Sequence, residues 1–391
     1  MKKNNRILYV IGSLEVGGAE RHLVRVAGLL RARGWEPEIF TLALKGPLIQ
    51  TVRELNIPVY GTTLPAWLKS CVRNDRARAR ILLFFTAIKL LYLLWRRRPA
   101  IAHFFLPAAY VIGGLVSLLS PVPIKVMSRR SMNNYQLLAP RQARLEKWLH
   151  KKMNFICGNS QVVVEQLADE GVNRDKLRLT YNGIELSKFQ TDENTLNLRT
   201  LLGISQDSVV MVIVANLIAY KGHADLIKAL GSIKNKLPEK WDLVCLGRDD
   251  GIGQGLLHQA KQLKIAEHIH FLGSRPDVSR FLEIADIGLL CSHEEGFSNA
   301  ILECMAASLP MVVTNVGGNS EAVLNNVTGF VVPPRDPNKL GEALLQIVSD
   351  PNRAIMGQRG SLRAQEVFSM SACIGTYESI YREALDIKRL K

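Results

Sequence analysis

Residues 6–42 read RILYVIGSLEVGGAERHLVRVAGLLRARGWEPEIFTL, and they decide the fold class. Ile7 to Ile11 is an unbroken apolar run, the pattern of a strand covered on both faces. A glycine-containing loop follows, then apolar residues at helical spacing from Ala19 to Arg33, with Gly34 as the stop. PEIFTL then reads as a second strand, so the segment is a βαβ unit. The basic start MKKNNR ahead of an apolar run superficially resembles an export signal. The run stops at Gly12, however, well short of the roughly 7–15 apolar residues such a signal needs.

The same alternation continues outward from this unit. An apolar helix is expected from about Arg80 to Arg97, a strand at AIAHFF, a helix from Ala108 to Leu119 and a strand at IKVMS. Alternating strands and helices imply a parallel, doubly wound sheet. After YNGIELSKF a polar stretch, QTDENTLNLRT, separates a fresh start at SVVMVIVAN. Helices at Gly222–Lys236 and Gly255–Lys264 and strands at WDLVCLG, HIHFLG, ADIGLLCS, PMVVT and FVVPP repeat the pattern. The expectation is therefore an α/β chain with two Rossmann-like doubly wound domains facing each other across a cleft. Residues 1–185 form the first domain and 186–370 the second. The amphipathic segment 371–391 has no core of its own and packs back on the first domain.

Composition narrows the setting. Up to residue 190 there are 30 Lys and Arg against 12 Asp and Glu, and beyond it 20 against 23. One basic half implies an anionic partner surface on one domain. The run ILLFFTAIKLLYLLW, Ile81 to Trp95, is shorter than the roughly 20 residues a spanning helix needs and contains Lys89. It is bracketed by Arg76, Arg78, Arg80 and by Arg96, Arg97, Arg98, and it carries Phe84, Phe85, Tyr92 and Trp95. An ordinary core helix and a helix partly inserted at an anionic lipid surface both fit this pattern. The absence of any nucleic-acid motif argues against nucleic acid as the partner. The six cysteines are scattered without metal or redox spacing, so they read as reduced thiols of a cytoplasmic protein.

The chemistry concentrates in HEEGFSNAILECMAASLPMVVTNVGGNSE, residues 293–321, directly after the strand ADIGLLCS. The loop leaving a strand's carboxyl end opens into the ligand crevice of such a sheet. Ser298 is a suitable N-cap for the helix NAILECMAA, whose free N–H groups suit a diphosphate. Glu295 and Glu303 flank the same place. Carboxylates repel phosphate but accept hydrogen bonds from hydroxyls, so a nucleotide-sugar is the ligand that uses both features. Glu295 would hold the transferred sugar and Glu303 the ribose.

With these residues in view the chain resembles a family 4 glycosyltransferase of the GT-B fold. The family's Glu-x7-Glu signature is met by Glu295 and Glu303 within EGFSNAILE. Further landmarks follow the family's order: GGAER at Gly17–Arg21, His103, NSQVV at 159–163, YNGIE at 181–185, KGH at 221–223 and VGGNSE at 316–321. The resemblance implies retention of anomeric configuration and donor contacts from Gly17, Gly18, Lys221, Gly296, Phe297, Ser298 and Asn299. Lys221 would pair with the diphosphate, and His103, read here at a crevice rim, would approach the sugar beside Glu295. Family members commonly have Arg where this chain has Asn216, so either the helix end and Lys221 suffice or another basic residue such as Arg248 or Arg275 substitutes. No Asp-x-Asp tripeptide occurs in the sequence. The expectation is no cofactor and no essential metal, with the nucleotide diphosphate sugar as co-substrate. A glycan or lipid-linked acceptor would be served at the inner face of the cell membrane. A sugar-nucleotide epimerase of the same fold and a non-catalytic membrane or polyanion binder remain alternatives.

Overall fold

A computed structural model describes residues 4–63, 74–189 and 198–389. Cys71, the Arg76 side chain and residues 190–197 of the polar stretch lie outside them. The chain divides into two compact units, Met1–Tyr181 with Cys373–Lys391, and Asn182–Ala372.

In the first unit the described strands are β1 (Arg6–Ile11), β2 (Glu36–Thr41), β3 (Val59–Gly61), β4 (Ile101–Phe105), β5 (Ile124–Arg129), β6 (Phe155–Gly158) and β7 (Leu177–Leu179). They pair in parallel in the order β3-β2-β1-β4-β5-β6-β7. The second unit holds β8 (Val209–Val214), β9 (Trp241–Leu246), β10 (Ile269–Phe271), β11 (Ile287–Leu290), β12 (Met311–Thr314) and β13 (Gly329–Val332). Their order, β10-β9-β8-β11-β12-β13, repeats the first arrangement. Each sheet reverses direction beside its first strand, which is the Rossmann-like topology. The central strands are largely apolar and buried, as strands covered on both faces are.

On one face of the first sheet the helix Pro107–Leu118 packs between the helices Asp75–Arg97 and Pro140–His150. Leu90, Leu94, Tyr110 and Leu149 of these helices enter a common core with Leu8, Phe104 and Ile156. The closing helix, Met370–Arg389, is held to the first unit by polar bonds. Tyr381 Oη meets Tyr9 Oη at 3.2 Å and His103 Nδ1 at 2.6 Å, and Tyr377 Oη meets His22 Nε2 at 3.2 Å. Among the described residues five cysteines are free and buried. Burial pushes the thiols of Cys157 and Cys291 up to about 12, so neither is a nucleophile at neutral pH.

Candidate active site

The second sheet reverses between β8 and β11, and the loops leaving these neighbours bring the candidate residues together. Gly222, in the loop after β8, adopts φ 74°, and a Cβ there would lie 1.9 Å from the Cys291 carbonyl oxygen. Only glycine lets this loop rest on the end of β11. Gly317, after β12, has φ 50°, and a Cβ would lie 1.9 Å from the Glu295 carbonyl oxygen. Gly318 N–H donates to Gly296 O at 2.9 Å, so the loops after β11 and β12 are also layered together.

This layering sets Lys221 against Glu295. The ammonium Nζ is 2.6 Å from Oε1 of Glu295, which also accepts from Ser292 Oγ at 2.7 Å. The two side chains are only 17% and 11% exposed, so water screens the pair weakly. Lys221 Nζ also lies 5.2 Å from the centre of the Tyr220 ring. A second strap joins the same loops: His293 N–H donates to Tyr220 O at 2.7 Å, and His293 Nε2 sits 2.7 Å from Asp225 Oδ2. Thr314 completes the frame by donating to Ser292 O at 2.6 Å. Beside Lys221, His223 is buried with neither ring nitrogen hydrogen-bonded. Burial, aided by the Lys221 charge, lowers it to about 4, so it is neutral at pH 7.

Lys221 and Glu295, expected to serve different parts of the ligand, pair with each other in the structure. Ser298 occupies the N-cap of the helix Asn299–Ala306, yet its side chain makes no capping bond. The helix start is held instead by Asn182, whose amide donates to Asn299 Oδ1 at 2.6 Å and to Phe297 O at 3.1 Å. The Phe297 ring packs on Phe368 with centroids 5.3 Å apart. Glu303 lies on the same helix, partly exposed. Asn216 uses its side-chain oxygen on the Arg248 N–H, 3.1 Å away. The two replacement cations are occupied nearby: Arg248 Nε is 2.6 Å from Asp250 Oδ1, and Arg275 Nε is 3.4 Å from Asp277 Oδ1.

In the first unit Gly17 is the N-cap of the helix Gly18–Ala32, and a Cβ on it would meet Glu20 Oε2 at 2.2 Å. His103 is not at a rim. It is the third residue of β4, 0% exposed, with Nδ1 2.6 Å from Tyr381 Oη and Nε2 2.8 Å from Ser128 Oγ. Both ring nitrogens are engaged inside the core, where they tie β4 to the closing helix and to β5.

Among the described residues no group of three or more His, Cys, Asp and Glu could hold a metal ion. Asp249 instead accepts the N–H groups of Gly251, Ile252 and Gly253 at 2.9, 3.0 and 3.0 Å. Sequence reasoning missed Ser292, His293, Asp225 and Thr314. His293 and Ser292 stand beside the recognised Glu295, but an acidic residue in a helix's first turn, as Asp225 is, needs no partner to be explained.

Two Rossmann-like doubly wound domains in one chain are the architecture of the GT-B glycosyltransferases. The chain belongs to glycosyltransferase family 4: residues 16–188 match the profile Glycosyltransferase Family 4, and residues 196–363 match Glycosyl transferases group 1. It is 28% identical over 214 residues to the N-acetyl-alpha-D-glucosaminyl L-malate synthase of Bacillus anthracis, covering 54% of this chain and 55% of that protein. It is 24% identical over 318 residues to the capsular polysaccharide biosynthesis glycosyltransferase CapM of Staphylococcus aureus, covering 76% and 80%. Among solved structures it is similar to Anabaena Alr3699/HepE in complex with UDP and glucose, with TM-score 0.83 and 20% identity over 97% of this chain and 99% of that one.

Proposed function

We propose that the protein transfers a sugar, with retention, from a nucleotide diphosphate sugar to a glycan acceptor carried on a lipid. The observation that carries this reading is the Lys221–Glu295 pair at the sheet reversal, in the loop that leads into the helix Asn299–Ala306. Before donor binding each charge neutralises the other. An arriving diphosphate competes for the ammonium and takes the N–H groups of the helix start. Glu295 is thereby released to accept hydrogen bonds from the sugar, while Glu303 takes the ribose hydroxyls.

The departing diphosphate gains negative charge as the glycosidic bond breaks. Lys221 and the helix end stabilise that charge, and no metal step is invoked. The acceptor attacks from the face the phosphate leaves, with the phosphate oxygen taking its proton. Trapping a covalent glycosyl-enzyme would overturn this mechanism, and activity abolished by a chelator and restored by magnesium or manganese would overturn metal independence.

Membrane seating rests on the helix Asp75–Arg97. Its inner side is Leu90, Leu93 and Leu94, and Phe84, Ile88, Tyr92 and Trp95 are exposed at helical spacing opposite them. A soluble helix normally turns polar residues outward, so an aromatic stripe with arginines at both ends matches an anionic lipid surface. Among the described residues no helix is long and apolar enough to cross a membrane. The proposed seat is peripheral, on the inner face of the cell membrane.

The deciding experiment is a thermal-shift panel of uridine, guanosine and adenosine diphosphate sugars on the wild type and on Glu303→Ala. One donor class should stabilise the wild type and fail with the variant. Equal stabilisation of both would dismiss the site. Conversion of a nucleotide sugar without any acceptor would favour the epimerase reading instead.

A further inference from the structure

A second apolar feature stands on the same helical layer, and it is built differently. The two buried carboxylates of Glu146 and Glu170 surround Arg129, which is itself 0% exposed. Arg129 Nη2 donates to Glu146 Oε2 at 3.2 Å and to Glu170 Oε2 at 3.0 Å. The segment after β5 grips this cluster with three side chains. Asn133 Nδ2 donates to Glu170 Oε1 at 3.1 Å, Tyr135 Oη to Glu146 Oε2 at 2.7 Å, and Gln136 Nε2 to Glu146 Oε2 at 3.0 Å. Buried carboxylates demand such partners, so the turn is fixed from within. Its next two residues, Leu137 and Leu138, are 82% and 91% exposed.

The following helix, Pro140–His150, continues the theme. Arg141, Arg144, Lys147 and Trp148 are exposed along it, and Lys151 and Lys152 follow at its end. Lys152 Nζ lies 5.6 Å from the centre of the Trp148 ring. The one acidic residue of the helix, Glu146, is turned inward. An apolar tip anchored by Asn133, Tyr135 and Gln136 thus sits at the head of a cationic face.

We propose that Leu137 and Leu138 form a lipid-inserting prong, with the helix Pro140–His150 supplying the cations that meet anionic headgroups. This inference rests on the membrane reading above and adds a second, separately anchored contact to the aromatic stripe. A nucleic acid would satisfy the cations but give the leucines nothing to bury against. A second copy docked through the same patch would set cations against cations. An anionic bilayer satisfies both halves of the surface.

The test is co-flotation of the full chain with phosphatidylcholine vesicles, with and without phosphatidylglycerol, at low salt. The proteins compared are the wild type, Leu137→Ser/Leu138→Ser, and Phe84→Ser/Tyr92→Ser/Trp95→Ser. The prong variant should lose about tenfold or more in affinity for anionic vesicles while its melting temperature is unchanged, because both leucines are already exposed. Wild-type affinity in the prong variant, with release of the stripe variant, would overturn the prong and leave the membrane reading standing. Failure of the wild type itself to bind anionic vesicles would remove both. A prong variant that changes sedimentation state but not vesicle binding would assign the leucines to a second copy and overturn the lipid assignment.

Discussion

Single side chains at the sheet reversal carry the sharpest expectations. Ser292 and Lys221 both donate to the same oxygen of Glu295, so Ser292→Ala leaves that carboxylate held by one bond instead of two. A hydrogen bond to a charged group is worth roughly 1.5–3 kcal/mol, so kcat should fall about tenfold or more with donor affinity little changed, as steady-state kinetics would read. Lys221→Met should weaken binding of the free nucleoside diphosphate, measured by calorimetry, because it also strands the Glu295 carboxylate. Gly222→Ala meets both a left-handed backbone and the Cys291 carbonyl. It should destabilise the fold by about 2 kcal/mol or more in denaturant melts. The reading of Lys221 and Glu295 from motif order named both residues, but their mutual contact spans 74 positions of chain and leaves no local trace.

Elements were legible in proportion to how apolar they are. The strands of the two sheets announce themselves because parallel strands are covered on both faces. The short strands β6, FICG, and β7, LRL, were missed because four and three residues are too few to show a pattern. The helix Pro140–His150 was equally hard to read, since its buried side is Glu146, Leu149 and His150, a largely polar set paired inside the core. The closing helix shows a related feature: its tyrosines meet His22 and His103, both buried. Burial, reinforced by the charge of Arg130, holds both histidines well below their ordinary value of 6.5. Below pH 6.5 the unfolded chain takes up protons that the folded one refuses. Their stabilisation is therefore complete above 6.5 and drains away as pH falls toward the folded values. Each contributes a slope of up to ~1.4 kcal/mol per pH unit. Urea melts should show a near-constant midpoint from pH 8 to about 7 and a steep decline toward pH 5. Tyr381→Phe, which removes the partner of His103 Nδ1, should lower stability by about 1–3 kcal/mol.

Across the whole molecule the charge is lopsided, with the excess of Lys and Arg confined to the first half of the chain. Exposed cations are screened within about 10 Å at ~0.1 M salt, so vesicle binding should weaken steeply on raising ionic strength, which flotation at graded salt would record. Retention on anionic vesicles at high salt would instead assign the affinity to apolar insertion alone. What the chain by itself determined was the pair of parallel α/β sheets and the family, because apolar period and motif order are properties of neighbouring residues. Tertiary structure alone decided that Lys221 is answered by Glu295, that His103 lies inside the core, and that the aromatic side of one helix faces outward. Each of these depends on which strands become neighbours, and that is settled only when the sheets form.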